Sequence, residues 1–221
     1  GVVWVRTRGV NQDDAPVLDY VRWVMVRKGQ RDAPAPAPVV PDLAAVVRPE
    51  ALVVPEGLDF SRYDFTLAGE RHRWGDYAVG ERIDHVDGVT IEEAEHMLAT
   101  RLWQNTAKVH FDATAREDGR RLIYGGHVIS LARALSFNGL ANAQTIVALN
   151  AGAHANPCFA GDTVRAWSEV LDRAETAAPG VGALRLRLVA TRGAAFGLRG
   201  EDGKYLPEVL LDLDYWVLVP R

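Results

Sequence analysis

An α+β fold, with one central helix wrapped by an antiparallel sheet, is predicted by three observations. Residues 128–138 are apolar nearly throughout, so a helix there has to bury every face. Four strand-like runs follow it with no further helix between them: residues 146–149, 163–171, 184–191 and 209–219. Clusters of Gly, Pro, Asp and Asn separate those runs, as antiparallel neighbours require, and a helix meets all-round apolar surroundings only if such a sheet curls about it. This is the hot-dog arrangement.

Taken from the start of the chain, residues 2–8 and 17–26 alternate Val, Trp and Tyr with Arg, Thr and Asp, the period of half-buried strands. Asn11, Gln12, Asp13 and Asp14 between them supply a turn, so a hairpin is expected. Leu18-Asp19 followed by Trp23-Val24-Met25-Val26 is echoed near the far end by Leu211-Asp212 followed by Trp216-Val217-Leu218-Val219. Thr7-Arg8-Gly9 is echoed by Thr191-Arg192-Gly193. Internal repetition of this kind argues for duplication: residues 1–30 are read as the closing hairpin of a first hot-dog unit that is largely missing, and residues 76–221 as a complete second unit. Between them, residues 31–75 form a linker and connecting segment. Pro34, Pro36, Pro38, Pro41, Pro49 and Pro55 leave its first part too poor in donors for a sheet interior, and residues 59–75 show no clear period.

Within the complete unit, residues 78–87 read as a short strand or turn. Thr90 and Glu93 are spaced as a capping box opening a helix that runs to Gln104. Its apolar stripe is Ile91, Ala94, Met97, Leu98 and Leu102, leaving Glu92, Glu95 and His96 outward. Gly139 is placed to end the central helix.

The chain has 221 residues, 48% hydrophobic, and a formal net charge of -4, which excludes a broad basic surface for nucleic acid or anionic membrane. No uncharged apolar run reaches the roughly 18 residues of a membrane-spanning helix. A lone cysteine, Cys158, forms no intrachain disulfide, and no metal-ligand spacing occurs, so a cytosolic protein without metal is expected.

Chemistry concentrates in residues 103–112, where an amide (Asn105), an imidazole (His110) and a carboxylate (Asp112) lie close in sequence. A histidine near neutral pKa takes a proton from water and returns one to carbon, as hydration of a conjugated double bond requires. Gly125 and Gly126 open the central helix. Free amides there, with no side chain in the way, suit an oxygen that becomes enolate-like. His72, His85, His96 and His127 read as structural, and His154 is left undecided.

The spacing Asn105-(four residues)-His110-x-Asp112, the glycine pair before the central helix, and Asn156-Pro157-x-x-x-Gly161-Asp162-Thr163 together resemble the MaoC-like hydratases, also termed hydratase 2, including their double hot-dog members. The resemblance covers nearly the whole chain. It implies reversible hydration of a short branched, dicarboxylic enoyl-CoA, with no cofactor beyond the CoA of the substrate, in a homo-oligomer. His110 then serves as base and acid, Asn105 orients water, and Gly126, with Gly125 beside it, binds the thioester oxygen. The family pattern has Asp five residues before the histidine, where this sequence has Asn105. Either Asn105 positions water while His110 alone moves protons, or the missing first half supplies an acidic group; Asp112 is a reserve. Arg101 and Arg133 are noted for a distal carboxylate but read as ordinary helix residues. A hot-dog thioesterase and a noncatalytic acyl-binding module are the rival functions.

Overall fold

A computed structural model describes residues 1–194 and 196–221. It separates into two compact units, Gly1–Ala44 and Ala45–Arg221.

The first unit is built on the predicted hairpin, β1 (Val2–Val10) paired antiparallel with β2 (Pro16–Met25). Asn11 makes the turn, its side-chain oxygen accepting the amides of Asp13 and Ala15. Arg6 grips Asp19 across the strands through two hydrogen bonds. The Thr-Arg-Gly echo is not matched in space: Gly9 faces Leu18, whereas Leu211, the counterpart of Leu18, faces Ala190.

The second unit begins with an extended segment, so the proline-rich stretch is shared between the two units. Asp64 caps the short helix α1 (Phe65–Ala68), accepting the amides of Thr66 and Leu67. A five-stranded antiparallel sheet follows from β3 (Arg82–Thr90), β4 (Thr145–His154), β5 (Thr163–Glu175), β6 (Val181–Arg192) and β7 (Val209–Pro220), in the order β3-β5-β6-β7-β4. Between β3 and β4 lie α2 (Glu93–Leu102), α3 (Gly125–Leu135) and the short α4 (Phe137–Leu140).

α3 is the expected central helix, three residues earlier than its apolar pattern suggests. Val128, Ala132 and Leu135 bury against Val164, Leu186 and Tyr215 of the sheet. Gly139 takes φ +94° in the predicted stop, one turn beyond the helix end. The opposite face of β6 and β7 is covered by Val47, Leu52, Val54, Leu58 and Phe60. Trp216 pins that cover by donating its indole N–H to the Val47 carbonyl at 2.9 Å. Residues whose alternation reads as one-sided strand are therefore buried on both faces.

The reading of α2 needs correction. Thr90 ends β3, with its hydroxyl 2.8 Å from that of Thr163, and caps nothing; Glu92 is the N-cap and makes no side-chain cap. The buried face carries His96 and Thr100, whereas Leu98 and Leu102 are exposed. Helical spacing alone puts the apolar stripe inside, but here a buried polar job outranks it: His96 accepts the amide of Tyr124 at 2.9 Å and so holds the chain entering α3.

Candidate active site

His110 ends a 3-10 turn (Lys108–His110) that begins after an Asx turn, in which the Asn105 side-chain oxygen accepts the Ala107 amide at 2.9 Å. The chain then loops outward and returns antiparallel, Leu122 donating its amide to Val109 O at 2.9 Å. His110 Nδ1 lies 2.8 Å from the Leu122 carbonyl oxygen. A carbonyl only accepts, so Nδ1 carries the proton and Nε2 of the neutral ring keeps its lone pair. The same backbone crossing thus fixes both the position and the tautomer of the imidazole.

Two residues past Leu122, Tyr124 is the N-cap of α3, and its ring centroid is 6.1 Å from that of His110 in an edge contact. Gly125 and Gly126 occupy the first two helical positions, where amides precede any in-helix acceptor, and no side chain caps them. Both positions demand glycine through close approach. A Cβ on Gly125 would stand 2.7 Å from Cε1 of His154, and one on Gly126 would overlap the phenol of Tyr124. The glycines therefore admit the His154 and Tyr124 rings against the helix start, whose first amides have no side-chain cap.

Four of the six histidines meet at this helix start. His110 and His154 are joined by His96, wholly buried, and by His127, whose Nε2 is 3.0 Å from Glu95 Oε1. Burial lowers His96 to about 4, aided by the nearby His127 and His110 and opposed by Glu95. It stays neutral, as its role of accepting the Tyr124 amide requires. Burial, then proximity to His110, also lowers His154. Sequence reading reached His110 and the glycine pair but not His154 or the inward turn of His96. The one signal for His154 is its place next to the Asn156-Pro157 turn.

Other expected residues sit differently. Asn105 lines a cleft of about 330 Å³ with Thr100, Arg101 and Phe111, its oxygen held by the Ala107 amide, while His110 is held by the Leu122 carbonyl. Asp112 caps a 3-10 turn: the hydroxyl and amide of Thr114 bind it and hold its carboxyl below the usual range. Arg133 is spent on Ser136 and the Ala143 carbonyl near the end of α3, the structural role expected of it. His85 bridges the Asn138 carbonyl and Ser168 inside the fold. Among the described residues there is no cluster of three or more metal-ligating side chains, and no helix is long and apolar enough to cross a membrane.

An antiparallel sheet round one buried helix is the hot-dog fold, and the chain is similar to MaoC-like proteins of that fold. More particularly, it is 80% identical over 223 residues to the mesaconyl-CoA hydratase of Cereibacter sphaeroides, a match spanning 100% of this chain and 65% of that protein. It is 57% identical over 230 residues to the beta-methylmalyl-CoA dehydratase of Chloroflexus aurantiacus, again over 100% and 65%. The chain thus spans 65% of the length of these curated relatives. A solved MaoC domain protein from Chloroflexus aurantiacus superposes with TM-score 0.93 at 56% identity, covering 100% of this chain and 65% of that one. A double-hotdog protein from Mycobacterium tuberculosis shares the fold, with TM-score 0.64 at 23% identity over 98% of this chain and 62% of that one. No family model matches the chain.

Proposed function

We propose that this chain carries the site for reversible hydration of a short branched enoyl-CoA, mesaconyl-CoA to β-methylmalyl-CoA. The carrying observation is the 2.8 Å contact from His110 Nδ1 to the Leu122 carbonyl, which leaves Nε2 as a neutral base beside the bare start of α3. The 80% and 57% identities to a mesaconyl-CoA hydratase and a beta-methylmalyl-CoA dehydratase support the substrate.

In this reading the thioester oxygen lies on the Gly126 amide, with Gly125 adjacent, so that charge building up on it meets preorganised donors. His110 Nε2 takes a proton from water as its oxygen bonds to the β-carbon, then returns that proton to the α-carbon. No dissociable cofactor enters; CoA belongs to the substrate. The Asn105 oxygen already serves the Ala107 amide, which leaves its Nδ2 to donate toward water. The protein is further proposed to act as a cytosolic homo-oligomer.

The test is loss of conjugated-thioester absorbance with mesaconyl-CoA and crotonyl-CoA, run on the full-length protein and on this chain. His110→Ala is expected to lower turnover about 10²- to 10⁴-fold. Stoichiometric release of free CoA thiol identifies a thioesterase instead, and full activity of His110→Ala removes this site from the reaction.

A further inference from the structure

We propose that His154 is a second catalytic residue of this site, the group that orients the attacking water in place of the missing carboxylate; the inference rests on the hydration reading above. His154 closes β4, and its ring lies against Gly125 so tightly that only glycine fits there. The residue nevertheless keeps an open face, and no protein group among the described residues hydrogen-bonds its ring nitrogens. His110 sits at the same helix start, in edge contact with Tyr124, the residue before Gly125. Two imidazoles, each with an uncommitted nitrogen, therefore lie at the α3 start, His154 against Gly125 and His110 against Tyr124.

The chemistry asks for that pair. A nucleophilic water presents a lone pair to carbon when both of its protons are held by acceptors. His110 Nε2 holds one. Asn105 is poorly suited to hold the other, because its acceptor atom is bound to the Ala107 amide and its free atoms are donors. Asp112 is turned to its own 3-10 turn, where its Oδ1 takes both the amide and the hydroxyl of Thr114. A neutral His154 imidazole offers a lone pair in either tautomer.

In the step so formed, the water oxygen bonds to the β-carbon and one O–H bond breaks, its proton passing to His110. The π pair moves to the α-carbon and thioester, which then takes the same proton back. His154 gains and loses no proton: it accepts a hydrogen bond from the second O–H, which remains on the product hydroxyl.

The test uses full-length protein and mesaconyl-CoA. His154→Phe, which fills the space without an acceptor, is expected to lower kcat at least about 100-fold with KM changed less than about threefold. His154→Gln, which restores an acceptor, is expected to recover activity to within about tenfold of the parent, and His154→Gly to be rescued saturably by added imidazole. Parent-like kcat in His154→Phe overturns the proposal. So does a loss that neither glutamine nor imidazole repairs, since that marks packing alone. A parent that hydrates no enoyl-CoA removes the hydration reading itself, whereas an active parent with an indifferent His154→Phe removes only the role of His154.

Discussion

Strands β2 and β7 carry nearly the same words, Leu-Asp then Trp-Val-x-Val, yet Trp23 is 50% exposed and Trp216 0%. Each closes an antiparallel hairpin with the strand before it. What differs is the number of layers. Around β7 the chain supplies α3 on one face and residues 47–60 on the other; within its own unit β2 has one partner strand and neither cover. Alternation encodes a strand, but burial comes from what is laid over it.

The largest expected effect sharpens this contrast. Trp216→Ala should cost about 3–5 kcal/mol in urea unfolding, through a cavity and a stranded Val47 carbonyl, while Trp23→Ala should cost under about 1 kcal/mol. Equal losses would mean that β2 is covered as fully as β7.

Acid should strike the two units unequally. All six histidines lie outside residues 1–44. His96 is lowered to about 4 in the fold, so the unfolded chain binds more protons between that value and an ordinary histidine pKa. Its contribution is complete above about pH 6.5 and is lost as pH falls toward about 4, amounting to as much as about 3 kcal/mol. Hydrogen exchange followed by pH should show α2 and α3 opening while the hairpin amides stay unchanged, and His96→Gln should flatten the dependence.

Glycines divide similarly. Gly125→Ala drives a methyl into the His154 ring and should cost about 1–3 kcal/mol, with hydration falling in step, whereas a Cβ on Gly9 meets Leu18 Cβ at 3.3 Å and should cost under about 1 kcal/mol. Thermal melts of both variants check this.

The smallest effect concerns matched ion pairs. Asp214, part-buried, accepts from Arg185 Nε at 2.9 Å and from Asn150 at 2.7 Å, so Asp214→Asn should cost about 2 kcal/mol. Asp19, open to solvent with Arg6 and Arg8, should give Asp19→Asn an unchanged melting midpoint. A midpoint shift for Asp19→Asn would show that the hairpin pair is shielded.

Much of this was legible in residue order. The hairpin, β5, β6, β7 and, within three residues, the central helix lie where periodicity and turn residues put them, because those signals are local; β3 runs on to Thr90, the residue read as a helix cap, and β4 extends to His154, well past the expected 146–149. The stripe of α2 misled, since Leu98 and Leu102 have helical spacing but the inner face is taken by a histidine with a backbone amide to hold.

By itself the sequence determined the hairpin, the sheet with its central helix, the bare glycine pair and the histidine beside it. Only the tertiary structure decided the rest: which tautomer His110 adopts, that residues 47–60 cover the sheet, and that His96, His110, His127 and His154 gather at one helix end. The physical reason is range. Propensity and alternation act over a few residues, whereas an imidazole held by a carbonyl 12 residues away, or an indole by one 169 residues away, depends on how distant segments are brought together.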